Sequence, residues 1–234
     1  MENAGNSFGL PFRSPGWFGT LAVMGLVGLI PIVGQLAVTG WMLTLLDNYR
    51  AGRTDLPPAG FQHIGRGVNL FVVQLAYGLL LVAVLLGPVV FFLASAAAGG
   101  AASSASGSPY SAVGANPVFA VLSPLLFAGV SIFSLVIYLF MAPIVVNTER
   151  GGIRAGLNPV LLLRTAGGNW GHTALAAVLT FAAYFIGGLG IYACCIGYIV
   201  TMPYSYAVVA GVVRFYEATF ETPQEGPPTA SAAY

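Results

Sequence analysis

His63 and His172 are the two histidines of the chain, and histidine is the side chain best suited to proton transfer or metal ligation near neutral pH. Paired with Asp55 or Glu149, either could form a metal or acid–base site. Neither stands in a His-x-x-x-His or Glu-x-x-His arrangement, which would set two ligands on one helix face. The expectation is two independent histidines on cytoplasmic segments. Cys194 and Cys195 are adjacent, supply no disulfide framework and no zinc site, and are read as packing residues. Gly-x-Gly-x-x-Gly, Gly-x-Ser-x-Gly and phosphate-loop patterns are absent.

Catalysis or coupled transport inside a membrane usually shows as an ionisable residue within an apolar run, because such a residue is expensive unless used. Here Asp47, Arg50, Glu149, Arg150, Arg214 and Glu217 stand at the ends of runs, where long side chains can snorkel to water. The polar residues inside the runs are mild: Gln35, Thr39, Thr44, Asn69, Gln74, Ser131, Ser134, Thr180, Thr201 and Ser205. They are read as hydrogen bonds between helices. The sharper alternative is the lining of a path for a small neutral solute. No catalytic, cofactor-binding or metal-ligating residue is assigned, and no enzyme activity or cofactor is expected.

The elements that position these residues follow from composition. Of 234 residues, 57% are hydrophobic and 6% charged, where a soluble domain carries about 25% charged. Eight arginines, no lysine and seven acids leave a net charge of +1. That cannot clothe a soluble surface, and it offers no basic patch to a nucleic acid. High hydrophobicity also excludes intrinsic disorder. The chain reads as an all-α, polytopic transmembrane helical bundle, with the lipid bilayer as its surroundings. Other membrane proteins or a second copy of the chain are the further partners considered.

A hydrocarbon core about 30 Å thick needs roughly 20 apolar residues of helix. The uncharged stretches predict spans at 15–30, 33–49, 68–94, 118–146, 171–188 and 193–216. Residues 1–221 form one membrane domain, and 222–234 a disordered cytoplasmic tail. The cluster Gly187-Gly188-Leu189-Gly190 marks the turn between the last two spans. Pro31 breaks the first stretch into a hairpin, giving six spans; one long kinked helix gives five. The hairpin sets Arg13, Arg50, Arg53, Arg66, Arg150, Arg154, Arg164 and Arg214 on one side. The positive-inside rule makes that side, and both termini, cytoplasmic. Phe61–Arg66 and Leu157–Arg164 read as short cytoplasmic surface helices. The Ala/Gly/Ser-rich stretch Ser95–Asn116 reads as a flexible external loop. Ser14-Pro15 reads as a capped helix start, and Pro31, Pro88, Pro124, Pro143 and Pro203 as kinks.

The run Phe8-Gly9-Leu10-Pro11-Phe12-Arg13-Ser14-Pro15-Gly16-Trp17 is followed by Gly28-Leu29-Ile30-Pro31-Ile32-Val33-Gly34 and by Thr39-Gly40-Trp41. Arg50-Ala51-Gly52, Leu56-Pro57 and Arg66-Gly67-Val68 come next. This order resembles a prokaryotic integral-membrane family, domain of unknown function 4013, specifically over residues 8–75. The family's aromatic after Leu-Pro is replaced around Pro58-Ala59-Gly60, with Phe61 as a stand-in. The resemblance implies a multi-pass membrane protein and carries no established activity. It gives a structural part to Pro11, Phe12, Arg13, Pro15, Trp17, Gly28, Pro31, Gly34, Gly40, Trp41, Leu56, Pro57 and Gly67.

Two functions fit these observations. The leading one is a non-enzymatic accessory or scaffold component of the cytoplasmic membrane that packs with membrane partners or lipids. The other is a permease or channel-like element for a small or amphiphilic solute, moving at Pro31 and Pro203.

Overall fold

A computed structural model describes residues 4–103, 117–192 and 196–221. Cys194, Cys195 and the tail 222–234 lie outside the described residues. Among those described the chain is all-helical, without a strand. The helices are α1 (Trp17–Gly28), α2 (Val33–Arg50), α3 (Ile64–Ser103), α4 (Pro117–Gly156), α5 (Pro159–Gly167), α6 (Trp170–Leu189) and α7 (Ile196–Glu221). Tight 3₁₀ turns precede α1 at Ala4–Phe8 and Leu10–Arg13. The chain forms two compact units, Met1–Phe71 with Tyr138–Tyr234, and Val72–Ile137.

Four segments are long and apolar enough to cross a membrane: Phe61–Ala83, Ser131–Gly156, Trp170–Tyr192 and Gly197–Thr219. α1 has 12 residues, a rise of about 18 Å, which is less than the hydrocarbon core requires. α2 is apolar on nearly every side, with Ala37, Val38, Trp41, Met42, Leu45 and Leu46 fully buried. Such a helix belongs inside a protein. It packs with α7, whose Ala207, Val208, Val209, Ala210, Val212 and Val213 are also buried. α1 and α6 pack on α7 as well.

Pro31 does end a helix, and the break is a hairpin. The Val33 N–H donates to the Pro31 carbonyl at 2.7 Å around Ile32, at φ 62° and ψ −64°. This is a γ-turn of the rare, strained form. The chain then doubles back: Gln35 Nε2 donates to the Gly28 carbonyl at 3.2 Å, and a Cβ on Gly28 would touch Val38. At the other end, the Leu56 N–H donates to Ser14 Oγ at 3.2 Å. Ser14 therefore ties the chain before α1 to the chain after α2, instead of capping α1. The residue before α1 is Gly16, in the left-handed region at φ 71°.

Several elements differ from the sequence expectation. Residues 95–103 of the expected external loop continue α3, because alanine is the strongest helix former; the remainder, 104–116, lies outside the described residues. Phe61–Arg66 is not a separate helix but a 3₁₀ turn, Phe61–His63, running directly into α3. The second short helix is separate, as α5, with Asn158 Oδ1 accepting from the N–H groups of Val160 and Leu161 at 3.0 and 3.3 Å. Its buried residues are Leu162 and Ala166. Of the other prolines expected to kink the spans, Pro88, Pro124, Pro143 and Pro203 are carried inside helices, and the non-helical backbone within α4 falls at Gly152, φ 68°. α7 continues through Pro203.

Candidate functional site

Polar side chains gather in two places in the first unit. At one, the C-terminal ends of α2 and α7 meet the start of α3 and the polar end of α4. Arg50 makes a paired contact with Glu217, Nε to Oε2 at 2.9 Å and Nη2 to Oε1 at 2.5 Å. Its Nη1 also donates to Asp47 at 2.8 Å and Glu149 at 3.3 Å. Arg66 Nη2 donates to Asp47 at 2.8 Å and Glu149 at 2.7 Å. Two guanidinium groups thus bridge three carboxylates from four helices. The side chain of Glu217 is only 4% exposed, and Arg50 is the counter-charge set against its burial. The hydrogen bonds it donates to Glu217 raise the Arg50 guanidinium above its ordinary value, against the opposing effect of burial. A planar, bidentate fork suits arginine to this place. Asp47, Arg50, Glu149 and Glu217 stood out in the sequence as run ends; Arg66 did not, because it lies outside the apolar runs.

The histidines have separate, local partners. His63 is buried; its Nε2 lies 2.9 Å from the Pro58 carbonyl, an acceptor that fixes a proton on Nε2. Its Nδ1 is 3.1 Å from Thr44 Oγ1, which also reaches the Gly40 carbonyl at 2.9 Å. His172 Nδ1 contacts Asn169 Oδ1 at 2.7 Å, and its ring lies 5.9 Å from that of Phe215. Among the described residues, neither forms a hydrogen bond with Asp55 or Glu149. Among the described residues no group of three His, Cys, Asp or Glu side chains is placed to hold a metal ion.

The second place is a cleft of about 310 Å³. Gln35 of α2, Tyr138 of α4, Tyr184 of α6, and Tyr198, Ser205 and Tyr206 of α7 line it, with Gly187 and Gly188 beside them. The rings of Tyr138 and Tyr184 lie 5.6 Å apart, and those of Tyr184 and Tyr206 6.0 Å apart at 81°. No charged side chain lines the cleft. Gln35 precedes Arg50 by 15 residues on α2, and Met202 precedes Glu217 by 15 on α7. The cleft is therefore about 22 Å along the helices from the ion pairs. Between them lie the buried side chains of Trp41, Leu45, Val209 and Val212, which leave the interior closed. Gln35 and Ser205 were among the polar residues noted in the sequence. The four tyrosines were not, since aromatic residues in apolar runs read as packing.

The family-motif residues act as joints. Cβ atoms on Gly40 and Gly67 would overlap the backbone of the facing helix, so α2 and α3 meet main chain to main chain. A Cβ on Gly34 would overlap the Val27 carbonyl across the hairpin. The buried indole of Trp41 donates to the Pro57 carbonyl at 3.0 Å. Pro11 is buried in the turn that Arg13 closes, before Pro15. Phe12 packs edge-on against Trp17 at 4.8 Å and lies 5.3 Å from Tyr204.

All-helical among its described residues, with four helices long and apolar enough to cross a membrane, the chain has the make-up of a helical membrane protein. The chain belongs to the family described as "Protein of unknown function (DUF4013)", whose model matches residues 23–196. That match extends well beyond residue 75 and leaves the entry motif Phe8–Trp17 outside it. Compared with curated proteins and with solved structures, the chain matches none.

Proposed function

We propose that the chain is a non-enzymatic, multi-pass component of the cytoplasmic membrane, an accessory or scaffold that packs with membrane partners or lipids. The observation supporting this reading is the closed interior between the ion pairs and the cleft: α2 and α7 are buried along their length and clamped at one end. Such a bundle is built to hold shape. Its exterior is apolar, with Phe18, Leu26, Ile32, Val178 and Phe185 exposed. In this reading α1 and α2 enter and leave the bilayer on one side, so that both termini and all eight arginines are cytoplasmic. Co-purification from native membrane, with mass spectrometry of bound proteins and lipids, tests the reading. Stoichiometric recovery of a membrane partner supports it; a chain recovered alone and driving solute flux in proteoliposomes overturns it.

The cleft favours a second reading, a permease-like element for a small or amphiphilic solute. It requires the layer around Trp41 and Val209 to open, and Pro203 lies inside a helix that would have to bend. Flux that depends on the cleft residues would select this reading.

A further inference from the structure

We propose that the cleft between α2, α4, α6 and α7 binds the uncharged, hydroxyl-bearing head of a membrane lipid of the glyceride class. The proposal goes beyond the scaffold reading and does not rest on it. The hydroxyls of Tyr138, Tyr184, Tyr198 and Tyr206 have no hydrogen-bond partner in the described residues, nor does Gln35 Oε1. These four residues line the cleft rather than the closed layer around Tyr49. Four phenols and an amide oxygen supply both donors and acceptors to an occupant. The absence of a charged lining residue decides which occupant. A phosphate or ammonium head entering this apolar, ring-walled space would leave water without a counter-charge, at high cost. A glycerol hydroxyl exchanges its water hydrogen bonds for phenolic ones.

Size and surroundings point to a lipid rather than a free polyol. At about 310 Å³ the cleft has the volume of roughly ten waters, enough for a glycerol with its ester groups. The aromatic ladder continues outward: Tyr138 lies 5.6 Å from Phe181, which stacks 6.3 Å from Phe185. Phe181 and Phe185 are exposed, so an acyl chain can leave the cleft along an apolar face. A Cβ on Gly188 would meet nothing within 4 Å, whereas one on Gly187 would press on Ser205. Gly188 thus borders the open space, and a side chain there would fill it.

The full chain, in nanodiscs holding an excess of phosphatidylcholine and phosphatidylglycerol, is given a trace of diacylglycerol with a photoactivatable group near its glycerol. The expected label maps to residues 184–206, is displaced by unlabelled diacylglycerol, and is untouched by free glycerol. Gly188→Leu should lower it at least tenfold at unchanged thermal stability. Tyr184→Phe and Tyr206→Phe keep the rings and should each lower occupancy about threefold to tenfold, the net worth of one hydrogen bond. These two variants carry the test if Gly188→Leu does not fold. Label spread evenly over the lipid-facing helices, or insensitive to the tyrosine variants, overturns the site. Displacement by free glycerol overturns the lipid assignment, and equal labelling from a phosphatidylcholine probe overturns the selection for an uncharged head.

Discussion

Gly25 of α1 faces the backbone carbonyl of Ile199 in α7 so closely that a Cβ at position 25 would overlap its oxygen. Ile199 stands four residues before Pro203, which has no N–H to return to that carbonyl in the helical pattern. The proline thus frees an acceptor at the point where α1 comes nearest, and glycine lets its Cα–H approach it. Gly25→Ala should destabilise the protein by about 1–3 kcal/mol, the usual cost of overpacking. Gly19→Ala, whose Cβ meets open space on the same helix, should be neutral or stabilising by up to about 1 kcal/mol. Thermal unfolding of both variants in nanodiscs checks the contrast; equal midpoints would refute the close approach.

Ile32 holds a conformation that β-branched residues resist, at φ 62°, and the residue is 65% exposed. Ile32→Gly should therefore relieve backbone strain without emptying a core. The expected gain is about 1 kcal/mol, read as a higher unfolding midpoint. A loss of stability would show that the side chain matters more than the turn.

The ion pairs are unequal. Arg50→Leu leaves the buried Glu217 unpaired and should cost about 3–5 kcal/mol. Glu217→Gln leaves Arg50 with Asp47 and Glu149 and should cost about 1–3 kcal/mol. Arg66, with 44% of its side chain exposed, should lose about 0–1 kcal/mol as Arg66→Gln. A base whose value is raised on folding contributes fully below its ordinary value and loses that contribution only above it. Arg50, whose guanidinium is raised further above an ordinary value that already lies well beyond this range, should therefore add no pH dependence to stability between pH 5 and pH 10. Urea or thermal titrations of the three variants across that range check both the ranking and the flat profile.

The hairpin fixes a distance. Spin labels at positions 17 and 47 should lie within about 25 Å, since adjacent antiparallel helices pack some 8–10 Å apart. A continuous helix would separate them by about 45 Å. In a background lacking Cys194 and Cys195, a cysteine at Ser231 should resist an impermeant reagent added from outside. Labelling there would place the C-terminus outside and refute the proposed orientation.

The sequence by itself determined the class, the helical content and the break at Pro31. Each is a sum or a local rule: charge density and hydropathy add residue by residue, and proline and glycine act within a turn. It also marked the motif glycines and Trp41 without showing what they touch. Asp47, Arg50, Glu149 and Glu217 were legible as charges at the ends of runs, but their meeting was not. Arg50 and Glu217 are separated by 167 positions, and no local spacing encodes that pairing. Ser14 looked like a cap because capping is a local habit; only the packed fold brought Leu56 to its hydroxyl. The alanine-rich stretch after Ser95 looked like a loop by composition, yet helix propensity carried α3 to Ser103. The tyrosine-lined cleft was invisible for a different reason. An aromatic side chain reads the same in sequence whether its hydroxyl is satisfied or open, and only the convergence of four helices decides which atoms are left facing space.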